Sequence, residues 1–190
     1  MHPFAVGEGH DPPGTFAQQK CFAVRRKMCA EGVIMEDALP KRKPTRIPGY
    51  DYSRVNYYFV TICTHEKQCL FYKEGRLNEM GIIAQTCMKE IPQHFPGCRI
   101  DKFVVMPNHV HAILVIDGAG STTATAIIGQ YKASVSRLIH QFSPDLAIWQ
   151  RSLHDHIIRT QKGYEKIWSY IDTNPMRWRE DCIYPEGVIL

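Results

Sequence analysis

Two hydrophobic rhythms alternate along this chain. Nearly continuous apolar runs, rich in aromatic and β-branched residues, occur at 57–64 (YYFVTICT), 100–106 and 109–116, and read as strands. A Pro107-Asn108 step separates the last two and predicts a tight turn, hence a hairpin. The second rhythm is helical. Met80, Ile83, Ala84, Cys87, Met88 and Ile91 recur at helical spacing after Asn78, a good cap, with Pro92 and Pro96 closing the segment. Ile127, Tyr131, Val135, Leu138 and Phe142 mark a second helix over about 126–142. Tyr164, Ile167, Trp168 and Ile171 mark a third, from about 163 to 174, which the Asn174-Pro175 step stops. HIIR at 156–159 reads as a short fourth strand, Leu70-Phe71 as a brief extension before a turn at Gly75, and 118–125 as a flexible loop.

The resulting order is strand, helix, strand, strand, helix, strand, helix. Its first six elements match an α+β, ferredoxin-like arrangement: a four-stranded antiparallel sheet with two helices on one face. The added C-terminal helix is then free to pack near the open face. Residues 1–45 follow neither rhythm and carry scattered Pro and Gly. They are expected to be a loosely packed N-terminal extension, followed by one domain over 46–180 and a tail over 181–190.

Composition narrows the function classes. With 44% hydrophobic and 22% charged residues, the 190-residue chain is globular, not disordered. The formal charge of +4 suits a nucleic-acid partner without requiring one. Lys41, Arg42, Lys43 and Arg46 form a basic cluster, either a solvated tail or an arm that touches phosphates. The seven cysteines include no Cys-x-x-Cys pair, which argues against a zinc ribbon and for a reducing, cytoplasmic setting. No apolar run of about 18 residues suggests a membrane span, and the N-terminus lacks a signal-peptide pattern.

Chemistry concentrates at His109-Val110-His111. Alternation on a strand points both imidazoles one way and Val110 the other. Such a pair is either half of a divalent metal site or two surface histidines on an edge strand. Oxygen donors and tyrosines occur on the last helix. Tyr170 and Asn174 are four residues apart and share a face, whereas Tyr164 lies about 240° around the axis from Tyr170. Tyr164 has Trp168 at i+4, which suggests packing; Tyr170 has an amide oxygen, which suggests chemistry. Two neutral imidazoles and one amide oxygen leave positions open for water or phosphate oxygens, and fit magnesium or manganese. A bound cation of this kind polarises a phosphodiester.

The sequence His109-Val110-His111, preceded by VVMPN, resembles the His-hydrophobe-His motif of the HUH endonuclease superfamily. The segments IPGYDYSRVNYYFVTICTHEKQCLF and WQRSLHDHIIRTQKGYEKIWSYIDTNP resemble the opening and C-terminal blocks of the REP-associated tyrosine transposases, within the insertion-sequence-200-like single-tyrosine transposases. The similarity runs from about Ile47 to Trp178. It implies that Tyr170 is the nucleophile and Asn174 the third metal ligand beside His109 and His111. It further implies a metal-dependent nickase and strand transferase that forms a phosphotyrosine intermediate on single-stranded DNA near hairpin-forming palindromic repeats. A nucleoid-associated monomer or homodimer is expected.

Two other readings share these residues: a non-catalytic, ferredoxin-like nucleic-acid-binding module, and a small metal-dependent hydrolase. Lys132, Arg137, Arg151, Arg177 and Arg179 are candidate phosphate contacts or plain solvated charges. Trp149 either stacks a base or packs under the last helix. His156 reads as a satisfied structural histidine, with DNA contact as the alternative.

Overall fold

In chain order, the computed structural model contains β1 (Asn56–Cys63), a 3-10 turn at His65–Lys67, β2 (Tyr72–Lys73), β3 (Arg76–Leu77), α1 (Glu79–His94), β4 (Cys98–Met106) and β5 (His109–Ile116). Then follow α2 (Ala124–Ile139), β6 (His154–Ile158), α3 (Gln161–Thr173) and a second 3-10 turn at Trp178–Glu180. The structure describes residues 56–118, 122–181 and 183–184, so Lys41, Arg42, Lys43, Arg46 and the expected 1–45 extension lie outside it.

The main sheet has the order β4-β5-β1-β6 with every pair antiparallel, which is the ferredoxin-like order that the element pattern predicts. The alternation of β1 explains the layering. Tyr58, Val60 and Ile62 point into the core under α1 and α2. Tyr57 and Phe59 point to the opposite face, where they meet α3 through Ile167, Ile171 and the two helix tyrosines. Strand β5 lies between two neighbours and is covered on both faces, so all eight of its residues are buried. Its even positions Val110, Ala112 and Leu114 join the α1/α2 core, while Ile113 and Val115 join the α3 layer. His109 and His111 share that second parity.

Strand β4 changes parity once, at an irregularity between Ile100 and Lys102. Before it, Cys98 and Ile100 pack against the α1/α2 core; after it, Phe103 and Val105 do so. The inserted residue lets the adjacent Asp101 and Lys102 both reach α3. Asp101 accepts a hydrogen bond from Tyr164 near the start of the helix, and Lys102 donates to Asp172 near its end.

The caps refine the expected boundaries. Asn78 Oδ1 accepts from Gly81 N at 3.0 Å and starts α1 as its sequence predicts. Thr123 and Thr160 cap α2 and α3, starting both about two residues earlier than periodicity suggests. Helix α1 continues past Pro92 to His94, contrary to the expected stop. Proline in the last turn removes one hydrogen bond without ending the turn, because Phe95 N still reaches Ile91 O at 3.1 Å. In place of a strand extension at Leu70-Phe71, the chain forms the small β2–β3 hairpin just after it, turning through Gly75 at φ +74.

The chain packs beyond the expected 180 boundary. After Pro175 it turns back across the α3 face, burying Trp178 and Ile183. No helix among the described residues is long and apolar enough to cross a membrane.

Candidate metal and nucleophile site

The register of β5 brings His109 opposite Cys63 and Met106, and His111 opposite Thr61 and Val104. The rings lie 4.4 Å apart between centroids. Both histidines are buried, because α3 and the segment behind it cover the sheet face that the four-strand pattern alone would leave open.

Each ring has a partner on its far side. Asn108 Nδ2 donates to the carbonyls of Lys67 and Ile183, at 3.1 and 2.9 Å. Those two bonds fix the amide orientation, so Oδ1 faces His109 Nδ1 at 2.8 Å. An amide oxygen only accepts, so the His109 proton resides on Nδ1 and the Nε2 lone pair points into the site. His111 Nδ1 contacts Thr61 Oγ1 at 2.9 Å, which turns its Nε2 toward α3. Burial pushes the His109 pKa down to about 3, helped by the Lys67 charge. Burial and then His109 hold His111 well below the usual histidine range, against the opposing pull of Asp181. Both rings are therefore neutral near pH 7, as metal ligation needs.

Helix α3 and the segment after it supply the other groups. Tyr170 is half-buried, its ring centroid 5.2 Å from that of His111, and its hydroxyl is 3.2 Å from His111 Nε2. Asn174, one helical turn later, is buried as well. Tyr164 faces elsewhere: it packs edge-on against Tyr57 and donates to Asp101. Its pKa is pushed up to about 12 by burial and the Asp101 bond. Of the two helix tyrosines, only Tyr170 has its hydroxyl in contact with a histidine of the pair.

Asp181 was not among the residues expected at this site. Its side chain is 1% exposed. Asp181 Oδ2 accepts from the Tyr170 hydroxyl at 3.1 Å and from Asn174 Nδ2 at 2.8 Å, and lies 3.9 Å from His109 Nε2. Asp181 Oδ1 accepts from Ile183 N at 2.8 Å. One ligand atom from each of His109, His111 and Asp181 falls within 4.8 Å of the other two. Asn108 and Thr61, which hold the rings, also escaped the sequence reading. Asn108 reads as a turn residue and Thr61 as one more β-branched strand position.

Two buried atoms test whether this group suits a cation. His109 Nε2 and Asn174 Oδ1 have no hydrogen-bond partner among the described residues. Buried polar atoms are normally paired, and both of these are lone-pair donors. A cation held by His109, His111 and Asn174 Oδ1 would satisfy both, with the Asp181 carboxylate beside them, so the residues fit a divalent metal.

The remaining candidates are not gathered at the site. Trp149 packs under α2 instead of the last helix, with ring centroids 5.4 Å from Phe71 and 5.8 Å from Tyr131. Its Nε1 donates to the Lys132 carbonyl. Lys132 Nζ donates to the Gln150 carbonyl. Arg137 and Arg151 are exposed, with Arg137 on α2 across the sheet from the histidines. Arg177 is exposed within the segment joining Asn174 to Asp181 and pairs with Glu180 at 2.6 Å. Arg179 is exposed in that same segment, and His156 is exposed on β6.

A family profile described as "Transposase IS200 like" matches residues 51–174. An uncharacterized protein of Haemophilus influenzae is 34% identical over 167 residues, covering 75% of this chain and 93% of its own. A second protein of that organism, named for the REP-associated tyrosine transposases, is 24% identical over 137 residues, covering 67% and 74%. Among solved structures, that of a REP-associated tyrosine transposase bound to a REP hairpin has the same fold. Its TM-score is 0.53 at 18% identity, over 70% of this chain and 74% of the other.

Proposed function

The chain belongs to the IS200-like transposase family, and from that premise we propose that it nicks and rejoins single-stranded DNA through Tyr170. The observation that carries this reading is the convergence of the Tyr170 hydroxyl with His111 Nε2 at 3.2 Å and Asp181 Oδ2 at 3.1 Å, beside the bare lone pair of His109. The REP-hairpin complex of the solved relative and the name of the Haemophilus relative favour hairpin-forming palindromic repeats as the target. They also favour the REP-associated branch of the family. The catalytic domain begins near residue 46 and runs at least through Asp181.

A phenol is a poor nucleophile at its ordinary pKa of about 10. Donating to Asp181 Oδ2 and lying 3.2 Å from His111 Nε2, the half-buried Tyr170 hydroxyl is held in one orientation before substrate arrives. Attack forms a bond from the phenol oxygen to phosphorus and breaks the bond from phosphorus to the leaving sugar oxygen. The Asp181 carboxylate can accept the phenolic proton, and the leaving oxygen takes one from solvent. The phosphotyrosine bond stores the energy of the broken diester, so a later hydroxyl can reverse the step without external energy. His109 and His111, with Asn174 or Asp181, would hold magnesium or manganese, which supplies polarisation of the phosphate and neutralises its charge.

The test is incubation of the protein with labelled single-stranded hairpins and manganese, followed by denaturing electrophoresis. A covalent adduct is expected from the native chain and none from Tyr170→Phe, which should still bind the hairpin. An adduct that persists in Tyr170→Phe removes Tyr170 from this role. Hairpin binding with no metal-dependent adduct from the native chain would leave a nucleic-acid-binding module.

A further inference from the structure

We propose that Asp181 is the anionic ligand of the metal centre, and that Asn174 positions it. The site is then two imidazoles and one carboxylate, with the bare Asn174 Oδ1 beside them as a further oxygen donor. This rests on the metal-dependent reading above and refines its ligand set.

Three observations carry it. First, a carboxylate 1% exposed and facing two imidazoles, 3.9 Å from one of them, is a costly arrangement without a cation. Its hydrogen bonds come from neutral donors, Tyr170, Asn174 and Ile183. Among the described residues no Lys or Arg lies within ion-pair distance of the carboxylate. Second, the donor atoms of His109, His111 and Asp181 mutually span no more than 4.8 Å, which one cation can bridge. Third, the Asn174 amide uses its Nδ2 on Asp181. That bond is what a second-sphere partner makes to orient a ligating carboxylate. A hard divalent ion also prefers a charged carboxylate to a neutral amide oxygen.

The chain delivers Asp181 by a defined route. Residues 175–181 leave α3 and return over the site, and 183–184 continue the path. Trp178 rests on His109 with centroids 5.6 Å apart, and the Ile183 carbonyl is held by Asn108. Asn108 thus anchors both the His109 ring and the strap that carries Asp181. Asp181 Oδ2 also accepts from the Tyr170 hydroxyl, so one carboxylate ties the phenol to the two histidines.

Manganese affinity measured by calorimetry on the full chain tests this, with no dependence on DNA. Asp181→Asn, nearly isosteric, is expected to weaken binding by at least about tenfold, and Asp181→Glu to recover part of the loss. Asn174→Ala is expected to lose less than Asp181→Asn. Circular dichroism checks that each variant folds. Native affinity in Asp181→Asn, or a larger loss in Asn174→Ala, would overturn the assignment while leaving a metal site at the histidines. Binding unaffected by His109→Ala would remove the metal centre itself and the ligand role with it. If Asp181 proves a ligand yet no covalent DNA adduct forms, the proposal here stands and the strand-transfer reading falls.

Discussion

Asn108→Ala probes the residue that links strand, histidine and strap. Asn108 is fully buried, and its side chain makes hydrogen bonds to His109 Nδ1, the Lys67 carbonyl and the Ile183 carbonyl. Alanine removes all three. Each such bond contributes about 1 kcal/mol net, and a buried donor left without a partner costs about 1–3 kcal/mol. The His109 Nδ1 proton is such a donor. The Lys67 carbonyl lies on a partly exposed residue and can turn to water. Together these effects predict a loss of about 2–4 kcal/mol. Urea unfolding in chelator reads it as a lower midpoint at unchanged slope. The same variant frees the His109 tautomer and should weaken manganese binding by about 10–100-fold. Asn108→Asp separates the two roles. It keeps an acceptor for His109 Nδ1 but sets a second carboxylate oxygen against two carbonyls, so it should destabilise the fold at least as much as alanine. Stability of Asn108→Ala within about 0.5 kcal/mol of the native chain, the range of an ordinary surface change, would refute the coupling.

Three further outcomes follow from the same geometry. In chelator, the depressed histidine pKa values make the unfolded chain the stronger proton binder below about pH 6.5. Stability is then full above that pH and falls as pH drops toward about 3, by about 1.4 kcal/mol per pH unit from His109 alone; denaturant titrations at pH 7.5 and 5 that superimpose would contradict this. Tyr164→Phe loses its bond to Asp101 and should cost about 0.5–1.5 kcal/mol while leaving the covalent DNA adduct intact on denaturing gels. Gly81→Ala would put a Cβ 2.2 Å from the Phe71 carbonyl oxygen and 2.7 Å from Leu77 Cδ2, so a thermal melt should show destabilisation of about 1–3 kcal/mol, against the usual benefit of alanine in a helix.

Where the chain obeys a simple period, its sequence is a good guide. Strand alternation puts His109 and His111 on one face, and the angle between Tyr164 and Tyr170 separates a packing phenol from one that meets an imidazole. The layer order follows from the same patterns. Asp181 escaped because it lies beyond Pro175, where periodicity ends and position depends on the chain folding back over α3. No local signal announces that return, although Trp178 and Ile183, two apolar residues in a supposed tail, are the traces of it. Asn108 was hidden for a different reason. A Pro-Asn step accounts fully for a turn, so nothing in it advertises three side-chain hydrogen bonds. Trp149 was misplaced because an aromatic beside Gln and Arg looks the same in sequence whether it faces solvent or Tyr131.

The extra residue in β4 has a mechanical consequence. Asp101 grips Tyr164 and Lys102 grips Asp172, so one short piece of an edge strand clamps α3 at two points eight residues apart, about 12 Å along its axis. Tyr170 rides between the clamps. A helix fastened twice can neither slide nor roll without breaking a fastening, and in-line displacement tolerates little error in aim. Removing a single residue at the irregularity would shift one clamp to the wrong side of the sheet. The nucleophile would then be misdirected from a strand that holds none of the site's own groups.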